Sequence, residues 1–272
     1  MPKDLTDIEV EEIRNLAREK LGVCRKTNDI IGIQIFSILS LNARVIYYPL
    51  GKDGPWGFTR IRGMNKGNPD KKPFVVINTS IPVSCQVFAA AHELYHIWYE
   101  NKPDVLLEDI LDETEKEISE KKANRFAVEF LVDKMMLSQE IDVYKIEKFS
   151  IKEVLQLSQL FTVPYRTMIK RLYETGFIKK NRSEEMLSDT DESIQMYRKK
   201  YGILDVEPDN RVIIDNLAEL SLEAYDHKYI SFQKLEYLLK LCNLSPKELG
   251  VVKSRPAIFP DDDTLKELLE EK

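Results

Sequence analysis

Two histidines and a glutamate with the spacing of a metal site lie in one apolar stretch of the chain. Residues 90–98 read AAHELYHIW and contain the pattern H-E-x-x-H. Residues four apart on a helix share one face, so His92 and His96 can bind one metal ion between them. Glu93 is rotated by about 100° from His92, which lets it lie beside the ion and act as a general base toward water. The pattern therefore predicts a metal centre on a helix, with a base next to it.

Histidine is scarce in this chain, which has three histidines and uses two of them in the pattern. With so few histidines, a chance match is rare, roughly a few in a thousand by composition. The alternative is a helix whose two histidines are satisfied by hydrogen bonds in the protein core. We favour the metal centre, because both the spacing and the apolar surroundings fit it.

A third ligand is expected, because catalytic zinc usually has three protein ligands and leaves one position for water. His227, the remaining histidine, lies far along the chain, so a carboxylate is the better candidate. Glu120 continues an apolar stripe at helical spacing, and a carboxylate on a buried stripe needs a partner such as a metal. The stripe consists of Ala123, Phe126, Ala127, Phe130 and Leu131.

Glu117 is the alternative third ligand, since it shares a helix face with Asn124. Asn124 lies one turn after Glu120 and is placed to hydrogen-bond a ligand histidine from outside the metal's coordination shell. The position of Glu120 on the stripe favours it over Glu117.

The two helical patterns together resemble the ImmA/IrrE family of metallopeptidases. That family pairs an H-E-L-x-H helix with a later E-x-x-A-N-x-F-A helix, and residues 92–96 and 120–127 carry these patterns here. The resemblance covers about residues 5–180. It implies a zinc (Zn²⁺) cofactor and a general base, with the ligands His92, His96 and Glu120 and the base Glu93.

Three positions depart from the residues that are usual in this family. Tyr95 stands where Gly is usual, and Val87 stands where Arg is common. Residues 131–133 read LVD in place of LMP. None of these changes removes a ligand or the base.

The function implied by the resemblance is metal-assisted hydrolysis of a peptide bond in a protein substrate. Zinc lowers the pKa of water to about 7 and polarises the carbonyl, while Glu93 takes the proton and passes it to the leaving amine. The implied substrate is a helix-turn-helix repressor or antitoxin. Its cleavage would release stress-response or mobile-element genes and so regulate transcription.

The elements expected to position the metal centre are two N-terminal helices, a small antiparallel sheet and the motif helix, which together give an α+β fold with zincin-like helices. The first helix starts at the capping box of residues 6–9, and Asn28 or Asp29 can cap the second. Strands are expected at 44–48, 58–62 and 74–78.

The strand expected at 58–62 alternates like an edge strand. An edge strand beside the motif helix can bind an extended peptide by strand addition. A plain structural role for this strand is the alternative.

A helix-turn-helix pattern follows at residues 146–182, with a turn at 161–164. Its functional interpretation is a DNA-binding element, and the alternative is a helical subdomain that braces the peptidase helices. The corresponding rival to the peptidase is a DNA-binding or regulatory interaction protein with a zinc site but little proteolysis. The cations of this segment are Lys170, Arg171, Lys179, Lys180 and Arg182.

Three parts of the chain are therefore expected. Residues 1–145 form a zinc metallopeptidase domain, 146–182 a helix-turn-helix-like extension, and 183–272 a helical C-terminal region that binds a partner or senses a signal. The polar residues at 183–190 are expected to form a linker. The C-terminal region shows no metal, nucleophile or phosphate-binding pattern.

Composition limits the remaining classes of function. The 272 residues carry a net charge of −6, which argues against a general affinity for nucleic acid, although a local basic face stays open. Three widely spaced cysteines suggest neither a disulfide framework nor a cysteine zinc site. The N-terminal residues lack a signal-peptide pattern, and no apolar run approaches a membrane span. We therefore expect a cytoplasmic protein that does not bind membranes.

Overall fold

The computed structural model describes residues 4–60, 72–100, 113–203 and 207–252. Within them lie four strands: β1 (Arg44–Tyr48), β2 (Gly57–Arg60), β3 (Phe74–Asn78) and β4 (Ile213–Ile214). The first helices are α1 (Asp7–Val23), α2 (Ile35–Asn42), α3 (Val83–Tyr99), α4 (Glu113–Leu131), α5 (Lys134–Val143) and α6 (Ile151–Phe161). The later helices are α7 (Tyr165–Glu174), α8 (Lys180–Leu187), α9 (Asp191–Tyr201), α10 (Leu217–Asp226) and α11 (Phe232–Leu241).

The predicted α+β class is confirmed, but the sheet is mixed and not antiparallel. The strand order is β2-β3-β1-β4. β1 pairs parallel to β3, whereas β2 pairs antiparallel to β3 and β4 antiparallel to β1. The antiparallel prediction was wrong because β1 and β2 lie on opposite sides of β3. β4 contributes two residues from far along the chain, and so short a strand leaves no pattern in the sequence.

The two predicted N-terminal helices are present, and the first begins as expected. Thr6 and Glu9 form a reciprocal capping box at the start of α1. The second helix begins later than predicted. A short 3₁₀ turn at Gly32–Gln34 precedes α2, whose N-cap is Gln34 and not Asn28 or Asp29. α2 is apolar and presents Ile35, Ile38 and Leu39 to the core.

Aromatic side chains join the motif helix α3 to α4. The ring of Phe126 on α4 lies 5.6 Å from that of Tyr95 and 5.9 Å from that of Trp98, and it stacks on Phe130 at 5.3 Å. Such pairs contribute about 0.5–1.5 kcal/mol each beyond their buried area. Tyr95, which replaces the family's usual Gly, is thus accommodated between the two helices. This packing fixes how α3 and α4 face each other.

The predicted helix-turn-helix-like segment is formed by α6 and α7, and an ion pair ties it to α4. Arg171 on α7 donates through Nη2 to Glu129 on α4 and through Nε to the carbonyl oxygen of Val132 at 2.8 Å. The Arg171 and Glu129 side chains are each only 1% exposed. Arg171 was counted in the sequence among the cations of this segment, but it contributes no charge to an exposed face because it neutralises a buried carboxylate.

Contacts divide the chain into two compact units, Met1–Asp215 and Asn216–Lys272. This division lies beyond the expected boundary between 182 and 183. Residues 183–190, expected to be a linker, instead contain most of α8 and its connection to α9. This segment belongs to the first unit, and Met186 of α8 and Ile194 of α9 are buried in the core of that unit. The three expected functional domains stay a prediction.

The described part of the second unit contains α10, α11 and a turn. Leu235 and Leu239 of α11 are fully buried, and Tyr225 contacts Phe232 edge to face across the two helices. His227 is exposed and stacks on Tyr229. Asp262 and Asp263, which the sequence indicates as a helix cap, lie outside the described residues, as do residues 61 and 62 of the predicted edge strand.

None of the described helices has both the length and the apolar content that a membrane crossing needs.

Candidate metal centre

Three of the predicted metal ligands converge where α3 faces α4. Nε2 of His92 lies 3.0 Å from Nε2 of His96. The Glu120 carboxylate on α4 lies 3.1 Å from Nε2 of His92 and 3.6 Å from Nε2 of His96. One ligand atom from each of the three residues falls within 4.8 Å of the others. Among the described residues, this is the group whose donor atoms could hold a metal ion.

The spacing of these donor atoms fits a tetrahedral zinc site. Zinc bonds to nitrogen and carboxylate oxygen are about 2.0–2.2 Å long, which puts neighbouring ligand atoms about 3.3 Å apart at a tetrahedral centre. The observed separations of 3.0, 3.1 and 3.6 Å bracket that value. Three protein ligands would leave one coordination position open, as in catalytic zinc sites.

Glu120 joins the histidines, whereas Glu117 does not. Glu117 lies one turn earlier on α4 and pairs with Lys121 at 3.2 Å. The Glu120 side chain is 59% exposed, so it does not lie on the buried stripe that was used to predict it. The packing of α3 against α4 determines the position of Glu120 and brings its carboxylate next to the two imidazole rings.

Both histidines are oriented by acceptors on the ring nitrogen that faces away from the donor cluster. Nδ1 of His92 lies 3.0 Å from Oδ1 of Asn124, which stands where the sequence predicted it. Nδ1 of His96 lies 2.6 Å from Oε2 of Glu100, and the Ser119 hydroxyl donates to the other oxygen of Glu100 at 2.6 Å. Because these oxygens accept, each Nδ1 carries a proton. Each Nε2 can give its lone pair to a metal ion once any proton on it has left.

The electrostatics of the cluster follow from these contacts. The hydrogen bond from His92 holds the pKa of Glu120 below its ordinary value, so the carboxylate stays charged and able to bind a cation. Burial alone would lower the pKa of His96, but the hydrogen bond and charge of Glu100 outweigh it, and the pKa lies above its usual value. A proton and a metal ion therefore compete for His96.

Glu93 lies beside the donor cluster and points toward the sheet. Its side chain is buried, with 4% of the residue exposed, and it accepts a hydrogen bond of 2.7 Å from the Thr59 hydroxyl on β2. Burial raises the pKa of Glu93, against the opposing effect of the Thr59 hydrogen bond. A carboxylate whose pKa is raised toward neutrality is better matched to general-base chemistry.

A glycine on β2 leaves room for the Glu93 carboxylate. A Cβ atom added to Gly57 would lie 3.3 Å from Oε1 of Glu93 and 3.1 Å from the carbonyl oxygen of Val76. Both contacts are tighter than ordinary van der Waals distance. The absence of a side chain at Gly57 therefore lets the edge strand approach the predicted base closely.

The donor cluster opens into a cavity of about 230 Å³. One side is polar and contains His92, Glu93, Glu120 and Asn124. The other side is apolar and comes from the start of β2 and the first half of α3, through Trp56, Gly57, Phe88 and Ala89.

Sequence reasoning missed the residues that reach the site from outside the two motifs. Glu100 could have been found, because it follows His96 by four residues and so shares its helix face. Thr59 and Trp56 had no comparable signal, since their approach depends on how β2 pairs with β3. Partly buried and exposed residues alternate along β2, and this alternation is the indication that the Thr59 side chain points inward.

Comparison with known proteins agrees with the two motifs. Residues 40–173 match the family model Peptidase_M78, described as an IrrE N-terminal-like domain. A structure of a Mycobacterium tuberculosis transcriptional regulator is similar at 16% sequence identity with a TM-score of 0.42, over 60% of this chain and 47% of that chain. This chain thus spans less than half of that regulator's length. No curated protein matches the sequence.

The matched region begins near the end of α2 and closes within α7. It contains the sheet strands β1 to β3, the motif helix α3, the helix α4 and the buried Arg171. The family resemblance predicted from the H-E-x-x-H and E-x-x-A-N-x-F-A motifs is confirmed. Residues 40–173 therefore form a domain of the Peptidase_M78, or ImmA/IrrE, family, described as IrrE N-terminal-like.

Proposed function

We propose that this protein is a zinc-dependent endopeptidase. The observation that carries the proposal is the convergence of His92, His96 and Glu120 within 4.8 Å, with Glu93 buried beside them. The family is zinc-dependent in general, and the donor set of two imidazoles and one carboxylate suits zinc. When bound, zinc would supply the Lewis acidity that activates water and polarises the scissile carbonyl.

The protein's own residues supply the proton transfers and the orientation. Glu93 takes a proton from the attacking water and later returns it to the leaving amine. Thr59 holds one oxygen of Glu93 at 2.7 Å and leaves the other directed along the cavity beside Gly57. Asn124 and Glu100 fix the two imidazole rings, so that each Nε2 is turned toward the donor cluster that would hold zinc.

A protein chain in extended form is the substrate that the architecture suits best. β2 is the terminal strand in the order β2-β3-β1-β4 and borders the cavity through Gly57. An extended peptide can add to such an edge through backbone hydrogen bonds, which places its own backbone next to the metal centre. From the family resemblance, we propose a helix-turn-helix repressor or antitoxin as the natural substrate and a cytoplasmic site of action.

The experiment that tests the proposal compares wild type with Glu93→Gln, a change that keeps the shape of the side chain but removes its basicity. Each protein is purified, loaded with zinc and incubated with a synthetic peptide library and with candidate helix-turn-helix repressors. Cleavage is detected by mass spectrometry. We expect the wild type to cut internal peptide bonds and Glu93→Gln to be slower by about 100- to 10,000-fold.

The matched control is Glu117→Gln, which changes a carboxylate on α4 that pairs with Lys121. This variant should cleave like the wild type. Zinc content is measured for every variant, so that a loss of metal is not mistaken for a loss of the base. Equal cleavage by wild type and Glu93→Gln at equal zinc content would refute the assignment of the base. No cleavage by any zinc-loaded form would favour the rival regulatory interaction protein.

A further inference from the structure

The apolar side of the cavity contains two aromatic rings that contact each other, those of Trp56 and Phe88. The ring centroids of Trp56 and Phe88 are 6.2 Å apart and the ring planes meet at 88°, an edge-to-face contact. Ala89 continues the same surface on α3. Trp56 is 43% exposed although it borders a cavity, so its indole still has a large surface that another apolar group could cover.

A buried asparagine holds the backbone that carries Trp56. Nδ2 of Asn78 donates to the carbonyl oxygens of Pro55 at 3.1 Å and Gly51 at 2.8 Å. The backbone N–H of Asn78 also donates to the carbonyl oxygen of Trp56 at 2.9 Å. Asn78 is completely buried, so these bonds are shielded from water. The indole is therefore presented by a fixed segment, and its surface is preformed for binding.

The chemistry of the apolar side restricts what can lie against this surface. Trp56 and Phe88 line the same cavity as the carboxylates of Glu93 and Glu120. An acidic side chain would lose its hydration against the two rings, and a small side chain would leave the indole uncovered. A cavity of about 230 Å³ has the volume of about eight waters in the liquid, enough for one apolar side chain beside the reacting groups.

We propose that Trp56 and Phe88 form a specificity subsite, which binds an aromatic or large aliphatic side chain of the substrate next to the bond that is cut. This inference rests on the proposed endopeptidase function and adds the class of residue at the cleavage site. Contact with the rings orients the peptide so that its carbonyl enters the metal centre. The base and the ligands perform the reaction, and the two rings select and position the chain.

The test uses the full-length protein loaded with zinc and a set of peptides that differ at one position beside the scissile bond. That position carries Phe, Leu, Ala or Asp. Cleavage rates are compared for wild type, Trp56→Ala, Phe88→Ala and the control Tyr173→Ala. Tyr173 on α7 is 44% exposed and matches Trp56 in exposure, but it lies outside the cavity.

We expect the wild type to cut the Phe and Leu peptides at least about 10-fold faster than the Ala peptide, and the Asp peptide slowest. Trp56→Ala should remove most of that preference, mainly by slowing cleavage of the Phe and Leu peptides. Tyr173→Ala should keep the wild-type preference. Cleavage without an apolar preference, or a preference that survives both Trp56→Ala and Phe88→Ala, would overturn the subsite while the endopeptidase function stands.

A binding measurement separates failure of the subsite from failure of the peptidase. Titration calorimetry with the same peptides on Glu93→Gln reports binding without turnover. If no form cleaves but the Phe peptide still binds, and Trp56→Ala weakens that binding by about 10-fold or more, the proposed peptidase fails and the subsite stands. If the Phe peptide binds no better than the Asp peptide, the subsite is wrong.

Discussion

Oε2 of Glu100, the C-cap residue of α3, lies 2.6 Å from Nδ1 of His96, the predicted metal ligand four residues earlier in the chain. The other oxygen of Glu100 accepts a hydrogen bond from Ser119, which comes from the facing helix α4. Glu100 therefore fixes the orientation of His96 and links it to the helix that carries Glu120. The two sides of the metal centre are joined by this link as well as by the aromatic packing of Tyr95 and Trp98 on Phe126.

The first prediction concerns this link. Glu100→Ala should weaken zinc binding by about 10- to 100-fold, the usual effect of removing a partner that orients a ligand histidine. Zinc affinity is measured by competition with a chromogenic chelator. Glu100→Gln should have a smaller effect, since its amide oxygen can still accept from Nδ1. An affinity for Glu100→Ala equal to that of the wild type would show that His96 needs no orienting group.

The second prediction concerns the hydroxyl that holds Glu93. Thr59→Val keeps the shape of the side chain but removes the hydrogen bond of 2.7 Å. We expect kcat to fall by about 10-fold, because one hydrogen bond to a charged group contributes about 1.5–3 kcal/mol, part of which orients the base. KM should change little. Thr59→Ser, which keeps the hydroxyl, should retain near wild-type kcat, and a similar loss in both variants would contradict the assignment.

The third prediction concerns the ligand on α4. Zinc should raise the midpoint of thermal unfolding of the wild type, because a ligand that binds only the folded state stabilises it. The increase should disappear on addition of a chelator and be absent in Glu120→Ala. Glu117→Ala serves as the control and should keep the zinc-dependent increase. The reverse pattern, with Glu117→Ala losing the increase, would make Glu117 the third ligand.

The fourth prediction concerns the buried pair of Glu129 and Arg171. Burial alone would raise the pKa of Glu129, but the hydrogen bond and charge of Arg171, together with the charge of Arg125, outweigh it and lower the pKa. A lowered folded-state pKa means that Glu129 stabilises the fold fully above the unfolded-state pKa of about 4.3. That stabilisation is lost as the pH falls toward and through the lower folded-state pKa.

Urea unfolding of wild type and Glu129→Gln at several pH values checks this prediction. At pH 7 we expect Glu129→Gln to be less stable by about 3–5 kcal/mol, as when one partner of a buried ion pair is removed. The difference should shrink as the pH is lowered below about 4. A difference that stays constant between pH 7 and pH 3 would show that the charge of Glu129 is not responsible.

The helical part of the site could be predicted because its geometry is local. His92 and His96 share a face of α3 through their spacing alone. Asn124, one turn after Glu120 on α4, lies 3.0 Å from Nδ1 of His92. Glu120 was selected with an argument about burial that the structure does not support. It lies at the histidines because α3 and α4 pack through aromatic rings, which helical periodicity does not specify.

The sheet was harder to predict because strand partners depend on contacts between distant segments. The runs of β-branched and aromatic residues predicted β1, β2 and β3 nearly at their observed positions. They did not indicate that β1 and β3 run parallel. They could not reveal β4 either. The cavity wall was missed for the same reason, since Trp56 reaches α3 through the pairing of β2 with β3. Periodicity reports which side of a strand is buried, not what covers it.

The ion pair between Arg171 and Glu129 affects where the chain can be truncated. A fragment that ended at residue 145 would keep His92, His96 and Glu120 and yet lose Arg171, which contacts Glu129 directly. The Glu129 carboxylate would then rely on Arg14 and Arg125 alone. We therefore expect that the shortest fragment that folds on its own extends through α7, and a fragment that preserves the sheet of the described residues has to reach Ile214.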